Sequence, residues 1–475
     1  MITRIKGIIE GKDVAALGPR ILELSISAIC DSSCLGCWCH SPLLKDVSSG
    51  TNKRRFLPLK KIEEIIEELL GLGLEEVQLS GAGEPLLHPH FWEAVKFLKD
   101  KGLKVHLITN FLSVKKKEIY KFIALRVDSV TISIWAGTPE TYVSLHPTRS
   151  EKDFLEISQK IRLLVEEREK RNLFYPRIKI YHVLTHLNVD EMEKMLEHSL
   201  IMGADMLEFK AVETIPGRTD FLAFTRKDIQ KIGLSIENLK KRIDFPYPEA
   251  YDPYEAPHLQ IFPDYSLRRE IVDYGRYLEK AFLPPGFTLT LDRSNSTTAV
   301  NEHLKLYCPE GKSQHSSILK ETPEQAFYFF YFREDCGDCK RVKKCFAGEA
   351  IREVKLPYLT LMGGGRLERE LESFARYGNY GTEIVDRIPC YAGWLYLRIE
   401  TDGSVIPCCK GHKFPVGNIF KNSFQEIWNG ERERKFRGMG KELEKSSPLF
   451  QLIGCRKGCD NIGMNVSFHA EVLKG

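Results

Sequence analysis

Three observations predict an α/β protein with a second, cysteine-rich part: six short apolar runs that alternate with helix-patterned segments, cysteines gathered into three groups, and a change of texture near residue 245. Strands with a helix between every pair are parallel, because antiparallel neighbours need only a tight turn. Right-handed crossovers curl such a series into a barrel or a doubly wound sheet. In both, the functional site lies at the C-terminal ends of the strands.

The elements follow in order. Residues 20–27 (RILELSIS) alternate apolar and polar and end at the first cysteine group, so they read as a strand delivering its end to a loop. In 58–73, Ile62, Ile65, Ile66, Leu69 and Leu70 fall at helical spacing before glycines that suit a helix C-terminus. The short strand EEVQLSG comes next. Helix 90–101 then leads to strand 104–110, helix 114–125 to strand 128–136, and a long helix 151–172 to strand 177–185. Helix 189–202 leads to strand 204–213, and one more helix is expected over 225–243. From 245 to 304 prolines and aromatics interrupt any long period, which marks a connector or a lid over the site. Beyond 305 the segments are short: a hairpin over 395–409 with Asp402-Gly403 as its turn, and a single helix over SFQEIWNGERERKF. A piece this small buries too little apolar area to hold itself and is expected to be organised by metal.

Composition narrows the function classes. The 475 residues carry 69 Lys plus Arg against 65 Asp plus Glu, a balance that does not call for a nucleic-acid partner. The basic stretches Lys115–Lys117 and 340–344 read as solvated faces. No apolar run approaches the ~18 residues of a membrane span, and the charged opening MITRIKGIIEGKD is no signal peptide, so a reducing, cytoplasmic setting is expected. There, 13 cysteines point to metal ligands rather than disulfides.

Their spacing gives the chemistry. Cys30-x3-Cys34-x2-Cys37 puts three thiolates on one tight loop, enough for three corners of a cubane iron–sulfur cluster with its fourth iron open. A zinc site completed by Cys39 or His40 is the alternative. One strand later, Ser80-Gly81-Ala82-Gly83-Glu84 exposes backbone polar groups beside the same loop, and Glu84 supplies an acceptor for a cationic amine. Thr109-Asn110 ends the third strand, Ser133 and Trp135 lie on the fourth, and no cysteine occurs between Cys39 and Cys308.

On these motifs the chain resembles the radical S-adenosylmethionine (SAM) superfamily over roughly 20–240, through CDSSCLGC, LSGAGEPLLHP, the 109–110 pair and VTISIWAGTPETY. The resemblance implies a partial (β/α)6 TIM-like barrel. It also implies that Cys30, Cys34 and Cys37 bind a 4Fe–4S cluster whose open iron chelates the methionine moiety of SAM. Gly81, Gly83 and Glu84 would hold the methionyl amine, with Asn110 in the same cofactor site; Ser133 would reach the ribose, and Thr185 or Asn188 the carboxylate or ribose. One departure stands out: the family commonly has an aromatic residue before the third cysteine, whereas this chain has Gly36, with Trp38 after it.

The later cysteines extend the resemblance. Cys390-x12-Gly403-x4-Cys408 and Cys336-x2-Cys339-x5-Cys345 are similar to the two halves of the SPASM signature, an auxiliary-cluster domain, in reversed order and with Cys455-x3-Cys459 far downstream. The simplest grouping is Cys308, Cys336, Cys339 and Cys345 around one auxiliary cluster, and Cys390, one of Cys408 and Cys409, Cys455 and Cys459 around another. The expected organisation is an N-terminal segment 1–19, a barrel 20–244, a connector or lid 245–304 and a SPASM-like domain 305–475. The implied activity is reductive cleavage of SAM to a 5′-deoxyadenosyl radical that removes hydrogen from a substrate carbon, an oxygen-sensitive reaction. The auxiliary clusters would carry electrons, and a ferredoxin or flavodoxin would be the external reductant. Two other classes stay open at this stage, a non-catalytic iron–sulfur electron carrier and a zinc-ribbon nucleic-acid-binding protein. Cys39, His40 and Trp135 lie near the expected mouth, each with a packing explanation of its own.

Overall fold

A computed structural model describes residues 13–44, 55–171, 173, 175–242, the strand segments 259–261, 288–291, 304–307, 314–322, 325–330 and 354–355, then 389–441, 447–455, 459, 461, 464, 465 and 468. Cys308, Cys336, Cys339, Cys345, the basic stretch 340–344 and most of the expected connector lie outside the described residues.

Six strands, β1 (Ile21–Ser25), β2 (Glu76–Ser80), β3 (Lys104–Thr109), β4 (Ser129–Ser133), β5 (Arg177–Leu184) and β6 (Met206–Ala211), pair in parallel with each chain neighbour. Their order in the sheet equals their order in the chain. A doubly wound sheet reverses its order at a switch point; this one does not, so the units wind one way into a partial barrel.

Helices fill the crossovers. α1 (Leu59–Leu70) starts after Pro58 and buries Ile62, Ile65, Ile66 and Leu69, one face at helical spacing. α2 (Phe91–Asp100) and α3 (Ile119–Ala124) follow β2 and β3. After β4 the sequence predicts one helix but the structure has two, α4 (Pro139–Leu145) and α5 (Glu151–Glu169). Seven residues are too few for a periodic signal; α4 instead begins on local chemistry, with Thr138 as a side-chain cap and Pro139 in the first turn. α6 (Met192–Ile201) and α7 (Arg226–Arg242) complete the series.

The two faces of the sheet differ in kind. Leu22, Leu24, Val77, Leu79, Val105, Leu107, Val130, Ile132, Ile178, Ile180, Leu207 and Phe209 are all buried in one core with the helices. Alternate residues place Glu23, Ser25, Gln78, Ser80, His106, Thr131, Lys179, Tyr181 and Glu208 on the other, concave face. Hydrogen bonds run across that face from Ser80 to Glu23 (2.5 Å) and from Lys179 to Glu208 (2.7 Å).

β7 (Leu259–Ile261) adds to β6 antiparallel. A separate antiparallel sheet holds β8 (Thr288–Leu291), β9 (Leu304–Tyr307), β10 (Gln314–Thr322), β11 (Gln325–Phe330) and β12 (Val354–Lys355). At the other edge of the main sheet the C-terminal part contributes α8 (Ala392–Leu395) and then β13 (Tyr396–Ile399), which pairs in parallel with β1, Leu22 opposite Leu397. β13 turns through Gly403 (φ 82°) into antiparallel β14 (Ser404–Ile406), as the Asp402-Gly403 signal predicts, and β15 (Gly417–Asn418) follows. The expected single helix over 423–436 is in fact two, α9 (Phe424–Trp428) and α10 (Glu431–Lys441). The break falls at Asn429, whose side chain accepts from Ala15 N (3.0 Å) and from Arg437 (3.0 Å) and so fixes the junction to the N-terminal segment. α11 (Pro448–Ile453) ends the described helices. Among the described residues no helix is long and apolar enough to cross a membrane.

Candidate active site at the mouth of the parallel strands

The loop that leaves β1 carries Cys30, Cys34 and Cys37, each partly buried. Neighbouring strands and helices hold it. Asp31 accepts from Asn110 Nδ2 (2.7 Å) and Ser113 Oγ (2.5 Å), which ties the loop to the end of β3. Leu35 N donates to Leu145 O (2.9 Å) and Ser33 N to Thr148 Oγ1 (3.3 Å), which ties it to the end of α4. Donors already face the sulfurs: Ser32 N to Cys30 (3.5 Å), and Cys39 N (3.4 Å) and His40 N (3.2 Å) to Cys37. Burial pushes the Cys30 and Cys34 thiols up to about 12. Both must therefore lose a proton to ligate iron, so loading releases protons. Among the described residues no three Cys, His, Asp or Glu side chains converge as closely as a single metal ion requires; the loop is a set of spaced thiols.

The glycine turn after β2 packs against this loop. A Cβ on Gly81 (φ 120°) would lie 1.8 Å from Ser25 Oγ, and one on Gly83 2.2 Å from Ile29 O, so both positions require glycine for close approach. Glu84 N donates to Ile29 O (2.8 Å). Its carboxylate is 2% exposed and accepts from Leu86 N (3.0 Å), Thr109 Oγ1 (2.7 Å) and Asn110 N (2.8 Å). Burial nevertheless pushes it up to about 7. Glu84 thus joins the ends of β2 and β3, and Asn110 continues the chain of bonds to Asp31. His40 is paired with Ala82 O (2.7 Å).

Ser133 accepts from Trp135 Nε1 (2.6 Å), and Trp135 has φ 65°. Asn188 Nδ2 donates to Trp135 O (2.7 Å) and Val183 O (2.9 Å), while Asn188 Oδ1 accepts from Thr185 N (2.6 Å). Thr185 and Asn188 are both fully buried, so in this structure they brace the Trp135 turn from behind. Trp135 also answers the missing aromatic before the third cysteine: a Cβ on Gly36 would lie 3.2 Å from the Trp135 ring, so an aromatic from the turn after β4 fills the space beside the loop. Trp38 is 55% exposed and donates to Glu213 O (3.2 Å); Cys39 is exposed.

Arg149 escapes notice in the sequence. Its Nε is buried without a hydrogen-bond partner, and its charge acts on Cys34. The available signal was its place directly before Ser150 and Asp153, the capping pair of α5.

The C-terminal cysteines divide. Cys408 is buried, with its thiol held far up by burial and by Cys390 and Cys459. Cys409 donates to Asn461 Oδ1 from both its backbone N (3.2 Å) and its thiol (3.0 Å). Nearby, Glu23 accepts from the Tyr396 hydroxyl and pairs with Arg398 (3.3 Å), which also pairs with Glu400 (2.8 Å). Burial, then Glu23, then Cys409 push the Tyr396 phenol far up. Lys410 pairs with Glu213 (2.8 Å), so the segment after β14 reaches the end of β6.

The Radical SAM superfamily model matches residues 24–198, and the SPASM iron–sulfur cluster-binding domain model matches 390–457. The chain is a radical SAM enzyme with a SPASM domain. Among its relatives, an S-adenosylmethionine-dependent nucleotide dehydratase of Selenomonas ruminantium is 28% identical over 36% of this chain and 58% of its own length. A probable GTP 3′,8-cyclase of Metallosphaera sedula is 25% identical over 50% and 73%. The crystal structure of Streptococcus suis SuiB bound to S-adenosylmethionine superposes with a TM-score of 0.48 at 14% identity, covering 95% of this chain and 75% of that one.

The residues of this radical SAM chain fit the cofactors of the family, 4Fe–4S clusters and SAM. Three thiols share one loop with N–H donors already directed at sulfur, the environment that tunes a cluster. Glycines let the Gly81–Gly83 backbone come close to that loop, and the orphaned Arg149 Nε leaves a cationic donor for a carboxylate.

Proposed function

We propose that this radical SAM enzyme cleaves SAM reductively at the mouth of the partial barrel and removes hydrogen from a carbon of a polar substrate held against the concave face. The observation that carries this reading is the joining of the cysteine loop, the glycine turn and the polar face at one end of the same strands. When bound, the cluster and SAM supply a carbon-centred radical able to abstract hydrogen; the chain supplies position and exclusion of water.

Cys30, Cys34 and Cys37 would hold the SAM-binding cluster. Backbone groups of Gly81–Gly83, with Glu84 behind them, would receive the methionyl amine, and Arg149 its carboxylate. Ser133 would reach the ribose, Asn110 would steady the loop through Asp31, and Thr185 and Asn188 would act on the cofactor by holding Trp135. Two closed auxiliary clusters would carry an electron to or from the substrate, with a ferredoxin or flavodoxin as external reductant in the cytoplasm. The expected boundaries at 20, 245 and 305 belong to this reading. Along the concave wall Lys179 pairs with Glu208, Arg398 with Glu23 and Glu400, and Lys410 with Glu213. Cations matched by carboxylates suit a polar substrate without the excess charge of a polyphosphate.

Replacing Cys30, Cys34 and Cys37 by Ala one at a time, followed by anaerobic reconstitution, tests the proposal. Each variant should lose reductant-dependent formation of 5′-deoxyadenosine; undiminished formation in any of them would refute it.

A further inference from the structure

We infer that Glu400, at the mouth end of β13, is a binding site for a cationic nitrogen group of the substrate, an ammonium or a guanidinium. This rests on the reading above and narrows its polar substrate to one that carries positive charge.

β13 and β1 pair in register, so Arg398 stands opposite Glu23 on the concave face, while Leu397 and Ile399 turn into the core. Glu400 extends the strand by one residue, its backbone N donating to Ser404 O of β14 (2.9 Å). Its side chain returns to the face of Arg398, with Oε1 2.8 Å from Arg398 Nη2. That same nitrogen donates to Ser25 Oγ (3.4 Å), and Ser25 Oγ accepts from Ala82 N of the glycine turn (3.2 Å). One guanidinium nitrogen therefore stands between Glu400 and the turn assigned to the methionyl amine. Because β13 runs parallel to β1, its C-terminal end opens on the same mouth as the cysteine loop.

Charge is out of balance at this point. Glu23 is saturated: it accepts from Ser80 Oγ (2.5 Å) and from the Tyr396 hydroxyl, and it pairs with Arg398 Nη1 (3.3 Å). Glu400 must share that one cation. It is 4% exposed, yet among the described residues neither of its carboxylate oxygens accepts a hydrogen bond of normal geometry. The half-exposed His412 ring comes to 3.6 Å from the same Oε1, beyond hydrogen-bond reach. Elsewhere along the wall the ions match one to one, Lys179 with Glu208 and Lys410 with Glu213. A buried carboxylate short of donors is strongly disfavoured unless a ligand supplies them. An excess negative charge away from bulk water also selects a cation over a neutral donor. An ammonium or a guanidinium brings both the N–H groups and the charge.

The test uses the full chain, anaerobically reconstituted and supplied with SAM but no reductant, so that SAM stays whole. Equilibrium dialysis compares butylguanidinium with butylurea, its neutral isostere. The wild type should prefer butylguanidinium by at least about tenfold, the scale of a hydrogen-bonded contact to a charged group, and the bound cation should raise its thermal midpoint. Glu400→Gln leaves Arg398 and Glu23 as a balanced pair, so it should erase the preference without lowering the urea midpoint. Glu400→Asp keeps the charge but withdraws it by one methylene; it should weaken the preference severalfold, and it decides the question if Glu400→Gln fails to fold. No preference in the wild type would overturn the inference. So would a preference that survives Glu400→Gln together with a lowered midpoint, which would make Glu400 a brace for Arg398. A wild type that shows the preference but forms no 5′-deoxyadenosine once reductant is added would instead refute the radical reading and leave the cation site standing.

Discussion

The cysteine loop after β1 and the cysteines after β14 are held in contrasting ways. The first loop is fastened by polar bonds at short range around one mouth: Asp31 to Asn110 and Ser113, Leu35 to Leu145, and Glu84 to the end of β3. The second group is fixed by the burial of Cys408 and by contacts with residues hundreds of positions away, such as the ion pair of Arg398 with Glu23 and the hydrogen bond that Trp428 Nε1 donates to Leu17 O (2.8 Å). The first arrangement presents thiols to an incoming ligand. The second builds Cys408 into the core and leaves Cys390, Cys409, Cys455 and Cys459 partly buried around it. A parallel strand from the C-terminal part, β13, makes the two regions one sheet.

The most damaging way to break this contrast is at the junction. Arg398→Met leaves Glu23 and Glu400 buried without their cation, and should cost about 3–5 kcal/mol in denaturant unfolding. A loss below about 1 kcal/mol would mean the hairpin does not depend on the ionic seam. Next comes Gly83→Ala, whose new methyl would lie 2.2 Å from Ile29 O. It should cost about 1–3 kcal/mol and weaken SAM binding severalfold, measured by unfolding and by equilibrium dialysis. Smaller is Asn429→Ala, which removes bonds to Ala15 and Arg437 and should cost about 1–2 kcal/mol without altering iron content.

A pH dependence sharpens the comparison further. Burial raises Glu84 to about 7 from an ordinary 4.5. Between those values the unfolded chain has released a proton that the folded chain keeps, so this residue's contribution to stability is fully present below about pH 4.5 and is lost as pH rises to 7. Glu84→Gln should flatten that part of the unfolding profile, measured by denaturant titration at several pH values. An unchanged slope would place the carboxylate in a more hydrated site.

Much of the barrel was legible because its signals are local. Each strand is a short apolar run and each long helix a repeating stripe, so their places follow from neighbours a few residues apart. The cysteine loop and the glycine turn were legible for the same reason, each being a contiguous motif. What stayed hidden depends on distant partners or on brevity. The pairing of Leu22 with Leu397 has no local mark. Helix α4 is too short for periodicity, and Arg149 gains its position only once Leu35 meets Leu145. The split of the helix at Asn429 follows from a contact with Ala15 at the far end of the chain.

The central claim is that one cluster site at the mouth is open to SAM while the C-terminal sites are closed. Electron paramagnetic resonance of the reduced, reconstituted protein tests it most directly, with and without SAM, in the wild type and in a variant lacking Cys30, Cys34 and Cys37. SAM should change one component of the wild-type spectrum, and the variant should lose that component while keeping about eight irons. A SAM-sensitive signal that survives removal of the three cysteines would contradict the account.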